Sequence, residues 1–334
     1  TLNLSIIILT IYKFYLILYV VINLNIEPRI EKSWKRFIRE NPPYSIALDG
    51  YVRDKPRFTP KGPYANFDHH YGVNRLSTRS TTGQTYNAIK LGLLTRFRDE
   101  KGVKINLNVN DCDQDVCPAV WLFYNHDRIE LNKSEPLITR LVGVVDLLDS
   151  SGGVYPISPS TKIMKEIGWI FEPYTDARFK GRVKNMNANE MKIIIDSVCD
   201  RISRYTIGKG EQIELDTRYE KIFSENNWAV IREIGQHARS RLLMDGIEAF
   251  ASVLEVDGKF FYSIGRLSQL IDFPIEILYK KLNMIERCDE SSSNRWGGSD
   301  LIGGSPRLTG SKIPPKDLVD LIKKTLSEQN KLYK

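Results

Sequence analysis

Pro63-Tyr64-Ala65-Asn66-Phe67-Asp68-His69-His70-Tyr71 carries a short apolar run straight into a carboxylate and two imidazoles. Val103-Lys104-Ile105-Asn106-Leu107-Asn108-Val109 leads in the same way into Asn110-Asp111-Cys112-Asp113-Gln114-Asp115. An apolar, β-prone run that ends in polar residues reads as a strand with ligand-type side chains at its carboxyl end. In an open α/β sheet the carboxyl ends of neighbouring strands face one crevice, where such folds bind ligands. One Asp-His-His tripeptide is weak evidence by itself and fits an ordinary strand end. Two such clusters predict an α/β fold, mainly a parallel sheet with flanking helices, whose site gathers Asp68, His69, His70, Asp111, Asp113 and Asp115.

Working outward, Tyr44-Ser45-Ile46-Ala47-Leu48-Asp49-Gly50 is a third strand that ends in an acid and a glycine turn. The polar run from Asn74 to Gly83, with Arg75, leads into a helix expected from about Gln84 to Arg98. Its hydroxyls and arginines suit either phosphate contact or helix capping. Pro118 fits the first turn of a helix after the acidic triplet. Residues 136–149 read as a helix or helix-strand element running to Ser150-Ser151-Gly152-Gly153, which leaves Asp146 and Asp149 near a chain break. Residues 154–184 have no clear periodicity and read as a connecting or lid segment. Met191, Ile194, Ile195, Val198 and Ile202 mark an amphipathic helix over Asn187 to Tyr205, read as a packing helix or strut.

Beyond it the pattern changes. Ala249 to Val256 and Lys259 to Ile264 bracket Asp257-Gly258, a hairpin signal. A smaller C-terminal α/β domain with an antiparallel hairpin follows, with helices over Pro274 to Arg287 and Pro315 to Leu326. Between these helices lies the Gly/Ser-rich stretch from Trp296 to Arg307. The expected divisions are 1–28, 44–184, 185–225 and 226–334.

Composition bounds the function classes. The chain has 334 residues, 42% hydrophobic and 27% charged, enough for two packed cores and unlike a disordered chain. A formal net charge of +7 suits a phosphate-bearing partner. The lack of a long basic stripe or repeated aromatic platform argues against binding a long single strand. Cys112, Cys117, Cys199 and Cys288 are scattered, with no Cys-x-x-Cys pair, which disfavours a zinc knuckle or redox centre and suits a reducing cytoplasm. Residues 3–26 are apolar over roughly the ~20 residues that cross a bilayer, and Lys13 is their one charge. They read either as a membrane tether that leaves the rest of the chain on the cytoplasmic side, or as sequence ahead of a mis-set start. Oligomeric state is not readable.

Asp49, Asp68, His69, His70, Asp111, Asp113 and Asp115 are mostly hard oxygen donors, which suit Mn²⁺ or Mg²⁺ better than zinc. So many carboxylates call for two ions, and a pair about 3.5–4 Å apart activates water at a phosphoryl centre. Asp68-His69-His70 resembles the signature of the DHH phosphoesterase superfamily, which includes single-strand exonucleases, oligoribonucleases, cyclic-dinucleotide phosphodiesterases and inorganic pyrophosphatases. Asp111-Cys112-Asp113-Gln114-Asp115 followed by Ala119 is similar to its Asp-x-Asp motif. Asp49 resembles the single Asp ahead of the His pair, Asp146 or Asp149 the last Asp, and Gly303-Gly304-Ser305-Pro306-Arg307 the glycine-rich loop of the appended DHHA1-like domain. The motifs span about residues 45–310.

The resemblance implies that Asp49, His69, Asp113, Asp115 and Asp146 hold the metals, with Asp111 and Asp149 as further ligands. Asp68 would fix the tautomer of a neighbouring imidazole, and His70 would orient the scissile phosphate or protonate the leaving group. Gly303, Gly304 and Ser305 would let a phosphate or sugar approach, and Arg307 would pair with a phosphate. One feature departs from the family: there the Asp-x-Asp motif precedes the His pair, and here it follows. A circular permutation would preserve the site, since strands reordered in sequence can stay neighbours in space; the other reading is coincidence at 111–115. The expected substrate is a nucleotide, dinucleotide or short nucleic acid. The alternatives are a pyrophosphatase or polyphosphatase, and a silent nucleotide- or nucleic-acid-binding regulator.

Overall fold

A computed structural model describes residues 19–289, 292 and 294–332. Tyr19–Ile26 forms the first strand, β1. It is followed by a short helix α1, Trp34–Glu40, and by β2 (Ser45–Leu48), β3 (Arg57–Thr59) and β4 (Tyr64–Phe67). Helix α2 (Thr81–Lys90) leads through a 3-10 turn to β5 (Arg98–Asp99) and β6 (Gly102–Val109). The sheet order is β1-β6-β2-β4-β3, with β5 against the start of β6. β1, β6, β2 and β4 are parallel; β3 and β5 are antiparallel additions. Mixed α/β architecture with a mostly parallel first sheet thus agrees with the periodicity.

A membrane-spanning helix, one of the two readings of residues 3–26, is not what the described part of that segment forms. Residues 19–26 lie in register along β6, Tyr19 opposite Gly102 through Ile26 opposite Val109. The run Val20-Val21-Ile22 is β-branched, and the alternating Asn23 and Asn25 donate side-chain hydrogen bonds to Asn106 and Asn108 at 3.0 and 3.2 Å. That period of two suits a strand. Residues 3–18 lie outside the described residues. Among the described residues no helix is long and apolar enough to cross a membrane.

After β6 come α3 (Val116–Tyr124), α4 (Pro136–Ser150), α5 (Lys162–Phe179) and α6 (Ala188–Thr206). Helix α5 replaces the irregular connection expected over 154–184. Pro173 hides the helix in the sequence, because it removes the N–H that would bond to the Trp169 carbonyl one turn back. Arg201 of α6 donates to that freed carbonyl, and it also reaches Glu172 at 2.7 Å. Helix α6 starts from a capping box, Asn187 with Glu190. Its Ile195, Val198 and Ile202 are fully buried in the same core as Ile46, Leu107, Val120 and Trp121, so it packs within the first domain.

The second sheet begins earlier than 226. β7 (Tyr219–Glu225) pairs with β8 (Trp228–Glu233), and β9 (Ala249–Val256) and β10 (Lys259–Arg266) form the expected hairpin. Helix α7 (Ile275–Glu286) and the strands β11 (Gly297–Gly298) and β12 (Ile302–Gly304) precede the last helix, α8 (Pro315–Leu332). The order β11-β12-β10-β9-β8-β7 is antiparallel except at β8 and β9. The two sheets meet just beyond α4. Val154 is buried with Ala229, Ile231 and Phe250 of the second sheet, and a Cβ on Gly152 would lie 2.9 Å from Ile302.

Candidate metal centre

Strand order puts β6 beside β2 and β2 beside β4, so the three acid-bearing turns adjoin at one end of the sheet. Asp49 leaves β2 in the left-handed region, φ 48°, with Gly50 following at φ 77°. A non-glycine residue there is uncommon, and such conformations recur at functional sites. The Asp49 Oδ1 accepts from Thr81 Oγ1 at 3.0 Å and lies 3.0 Å from His70 Nε2. His69, fully buried, turns Nε2 toward three carboxylates: Asp149 Oδ2 at 2.7 Å, Asp49 Oδ1 at 3.5 Å and Asp115 Oδ2 at 3.6 Å. Despite the short contact, neither His69 Nε2 nor Asp149 Oδ2 has a hydrogen bond of acceptable direction.

Asp115 is also buried, and it serves two elements. Its carboxylate receives the backbone N–H of Thr81 and Thr82 at 2.5 and 2.8 Å, capping α2 where the helix dipole favours negative charge. Its Oδ2 still borders His69. Burial, and then the charges of Asp149 and Asp49, push its carboxyl up to about 7. Burial opposes the charge on Asp49, but the His70 and His69 imidazoles hold it well below the usual carboxylate range. Asp149 is drawn the same way: burial opposes its charge, and His69 keeps it low. For His69 burial disfavours the imidazolium, and Asp149 overrides that and raises it well above its usual value. The acids split in this manner because those paired with an imidazole are held low, while Asp115 is governed by burial and by its acidic neighbours.

The other expected residues stand in different places. Asp68, fully buried, accepts the backbone N–H of His70 at 3.2 Å and of Tyr71 at 3.1 Å. It therefore fixes the turn that carries the histidines and makes no hydrogen bond to an imidazole. Asp113 Oδ1 accepts the backbone N–H of Asp115 and Val116 at the head of α3, and burial with the nearby Asp49, Asp111 and Asp149 raises its carboxyl well above normal. Asp111 faces the second domain, where the exposed Arg307 reaches its Oδ2 at 3.3 Å. Asp146 is bonded to the Ser80 N–H at 2.7 Å and Arg79 at 3.1 Å, so it anchors the start of α2 outside the His69 cluster. Arg75 is buried and contacts His70 and Asp149, away from open solvent.

Gly303 and Gly304 belong to β12 and are paired with β10. A Cβ on Gly303 would lie 2.1 Å from the Tyr279 hydroxyl, and one on Gly304 would lie 2.4 Å from the Tyr262 carbonyl. Ser305 accepts the Tyr262 N–H at 3.0 Å. These three residues are consumed by the sheet itself. The residues that sequence reasoning missed are Thr81 and Thr82, which hold Asp49 and Asp115. Their signal was Ser80-Thr81-Thr82-Gly83, a run suited to a helix start, with Ser80 as the cap of α2.

Searches against family models, curated proteins and solved structures found no match for this chain.

Proposed function

We propose that the protein is a metal-dependent phosphoesterase acting on a nucleotide, dinucleotide or short nucleic acid. One observation carries the reading: His69 Nε2 is enclosed by oxygens of Asp49, Asp115 and Asp149 within 2.7–3.6 Å, while the two closest atoms of that group lack hydrogen bonds. His69 and Asp149 pair by charge at 2.7 Å, but oxygens of Asp49 and Asp115 crowd the same nitrogen, and so many buried carboxylates beside one imidazole cost free energy unless something offsets them. Three carboxylates and one imidazole suit Mn²⁺ or Mg²⁺, and one atom from each of His69, Asp115 and Asp149 lies within 4.8 Å of the others. Asp113, whose Oδ1 is engaged, offers Oδ2 to a second ion. When bound, such ions supply a nucleophilic water and neutralise charge at the phosphoryl centre.

The protein's own groups account for the rest of the site. Asp68 and Thr81 hold the ligand-bearing turns, and His70, partly exposed with Nε2 3.0 Å from Asp49 Oδ1, exchanges that carboxylate for an oxygen of the scissile group. Arg307, already stationed on Asp111, exchanges that carboxylate for a substrate phosphate. Membership of the DHH phosphoesterase superfamily is part of this proposal. The neighbouring positions of β6 and β2 support it, because they let the acidic triplet meet Asp49 although it follows the His pair in sequence. The test is hydrolysis of bis(p-nitrophenyl) phosphate and short oligonucleotides with and without Mn²⁺. Wild type should turn over only with the ion and His69→Ala should not; full activity in His69→Ala would remove the basis of the reading.

A further inference from the structure

We infer that Arg75 is a positioning residue that fixes His70 in its Nε2–H tautomer and thereby withholds it from the metal. The inference rests on the metal-centre reading above, but its decisive observation does not need the metal. By distance alone two groups could hold an ion, Asp49 with His69 and His70, and His69 with Asp115 and Asp149. Arg75 distinguishes them. Its Nη1 lies 3.2 Å from His70 Nδ1, and its Nη2 donates to the Asp149 carbonyl at 2.7 Å.

A guanidinium has donors and no acceptor, so in this contact Nδ1 must be the accepting nitrogen of the ring. The ring proton then sits on Nε2, 3.0 Å from Asp49 Oδ1, where it donates. A metal-binding imidazole needs the reverse arrangement: a lone pair toward the ion and an N–H on the other nitrogen, given to an acceptor. His70 has a cation where that acceptor would be. At His69 neither nitrogen is claimed by a hydrogen-bond donor, so Nε2 is free to turn a lone pair to an ion, although Nδ1 has no acceptor among the described residues. Both Arg75 contacts therefore serve one arrangement: Asp149 is held toward His69, and His70, with 37% of its side chain exposed, keeps its ring proton on Nε2 beside Asp49.

A purely stabilising role fits Arg75 poorly. Its side chain is 3% exposed, its Nε is buried without a hydrogen bond, and the nearest carboxylate oxygen, Asp149 Oδ2, is 3.7 Å from Nη2. A buried charge so loosely paired is a weak source of stability.

The experiment is a long-range ¹H–¹⁵N correlation on metal-free protein labelled in histidine, at about pH 8.5, two units above the ordinary imidazole value. Wild type should give His70 the Nε2–H pattern. Arg75→Met should convert it to a tautomer average, and Arg75→Lys, which keeps one donor, should restore it. In Mn²⁺ titrations His70→Ala should keep the affinity within about 3-fold while kcat falls, a smaller loss than the ~10–100-fold expected even for a group behind a ligand. An Nδ1–H pattern in wild type, an unchanged pattern in Arg75→Met, or lost Mn²⁺ affinity in His70→Ala would overturn the inference. If wild type bound no Mn²⁺, the proposed function would fail, and the tautomer spectra would still decide the role of Arg75.

Discussion

Two regions look equally site-like in the sequence, the Asp/His turns of the first sheet and the glycine-rich stretch of the second, and their polar groups are in opposite states. Around Gly303 the chain satisfies itself. The glycines make room for the Tyr279 hydroxyl and the Tyr262 carbonyl, and Ser305 bonds to the Tyr262 backbone. Around His69 the groups are crowded, buried and partly unpaired. The same contrast recurs within one helix: Asp146 is hydrogen-bonded by Ser80 and Arg79, whereas three residues later Asp149 brings Oδ2 to 2.7 Å from His69 without a hydrogen bond of acceptable direction. Residue type does not separate the two regions; the hydrogen bonding of the folded chain does.

The largest test of that contrast exchanges the two acids of α4. Asp149→Asn should lower Mn²⁺-dependent hydrolysis by more than about 100-fold, beyond the range typical of groups outside the ligand shell. Asp146→Asn should act mainly through the anchoring of α2, with a smaller loss of rate and a lower melting temperature. Equal losses in the two variants would erase the distinction. Next in size is Gly303→Ala. Its methyl would meet the Tyr279 hydroxyl and the Gly297 carbonyl, so chemical unfolding should show a loss of about 1–3 kcal/mol. An unaffected stability would mean that the glycine is not needed for packing and would reopen a role in substrate approach.

The last effect is one of pH. Burial, and then the neighbouring Arg178, push His237 down from 6.5 to about 4. The unfolded chain therefore takes up this proton first, and stability should fall as pH drops below 6.5, with the loss complete once the folded form titrates near 4. Each unit in that window contributes at most about 1.4 kcal/mol, reduced by solvent screening because His237 is not fully buried. Denaturant midpoints at pH 6.5 and 4.5, compared between wild type and His237→Gln, should show a smaller acid loss in the variant.

Much of this architecture is legible in the chain because its signals are local. Strand, acid and turn coincide at Leu48-Asp49-Gly50, and Asp257-Gly258 announces the hairpin that β9 and β10 form. Signals that depend on distant partners are not legible. Pro173 argues against a helix until Arg201 is seen on the carbonyl it frees. Residues 19–26 read as part of a spanning segment until β6 is beside them. Gly303 and Gly304 suggest an open loop until Tyr279 and Tyr262 fill the space above them. Of the site, the Asp49 and His69 turns could be read directly. That Asp149 and not Asp146 lies beside His69 could not, since both lie near the end of one helix and only tertiary contacts separate them.

The most direct test of the central claim is a calorimetric titration of metal-free protein with Mn²⁺, comparing wild type with Asp149→Asn. The account predicts that wild type binds the ion, with one or two equivalents reporting whether Asp113 joins, and that Asp149→Asn loses the site formed with His69 and Asp115. Absence of binding to folded wild type, or undiminished binding to Asp149→Asn, would contradict it.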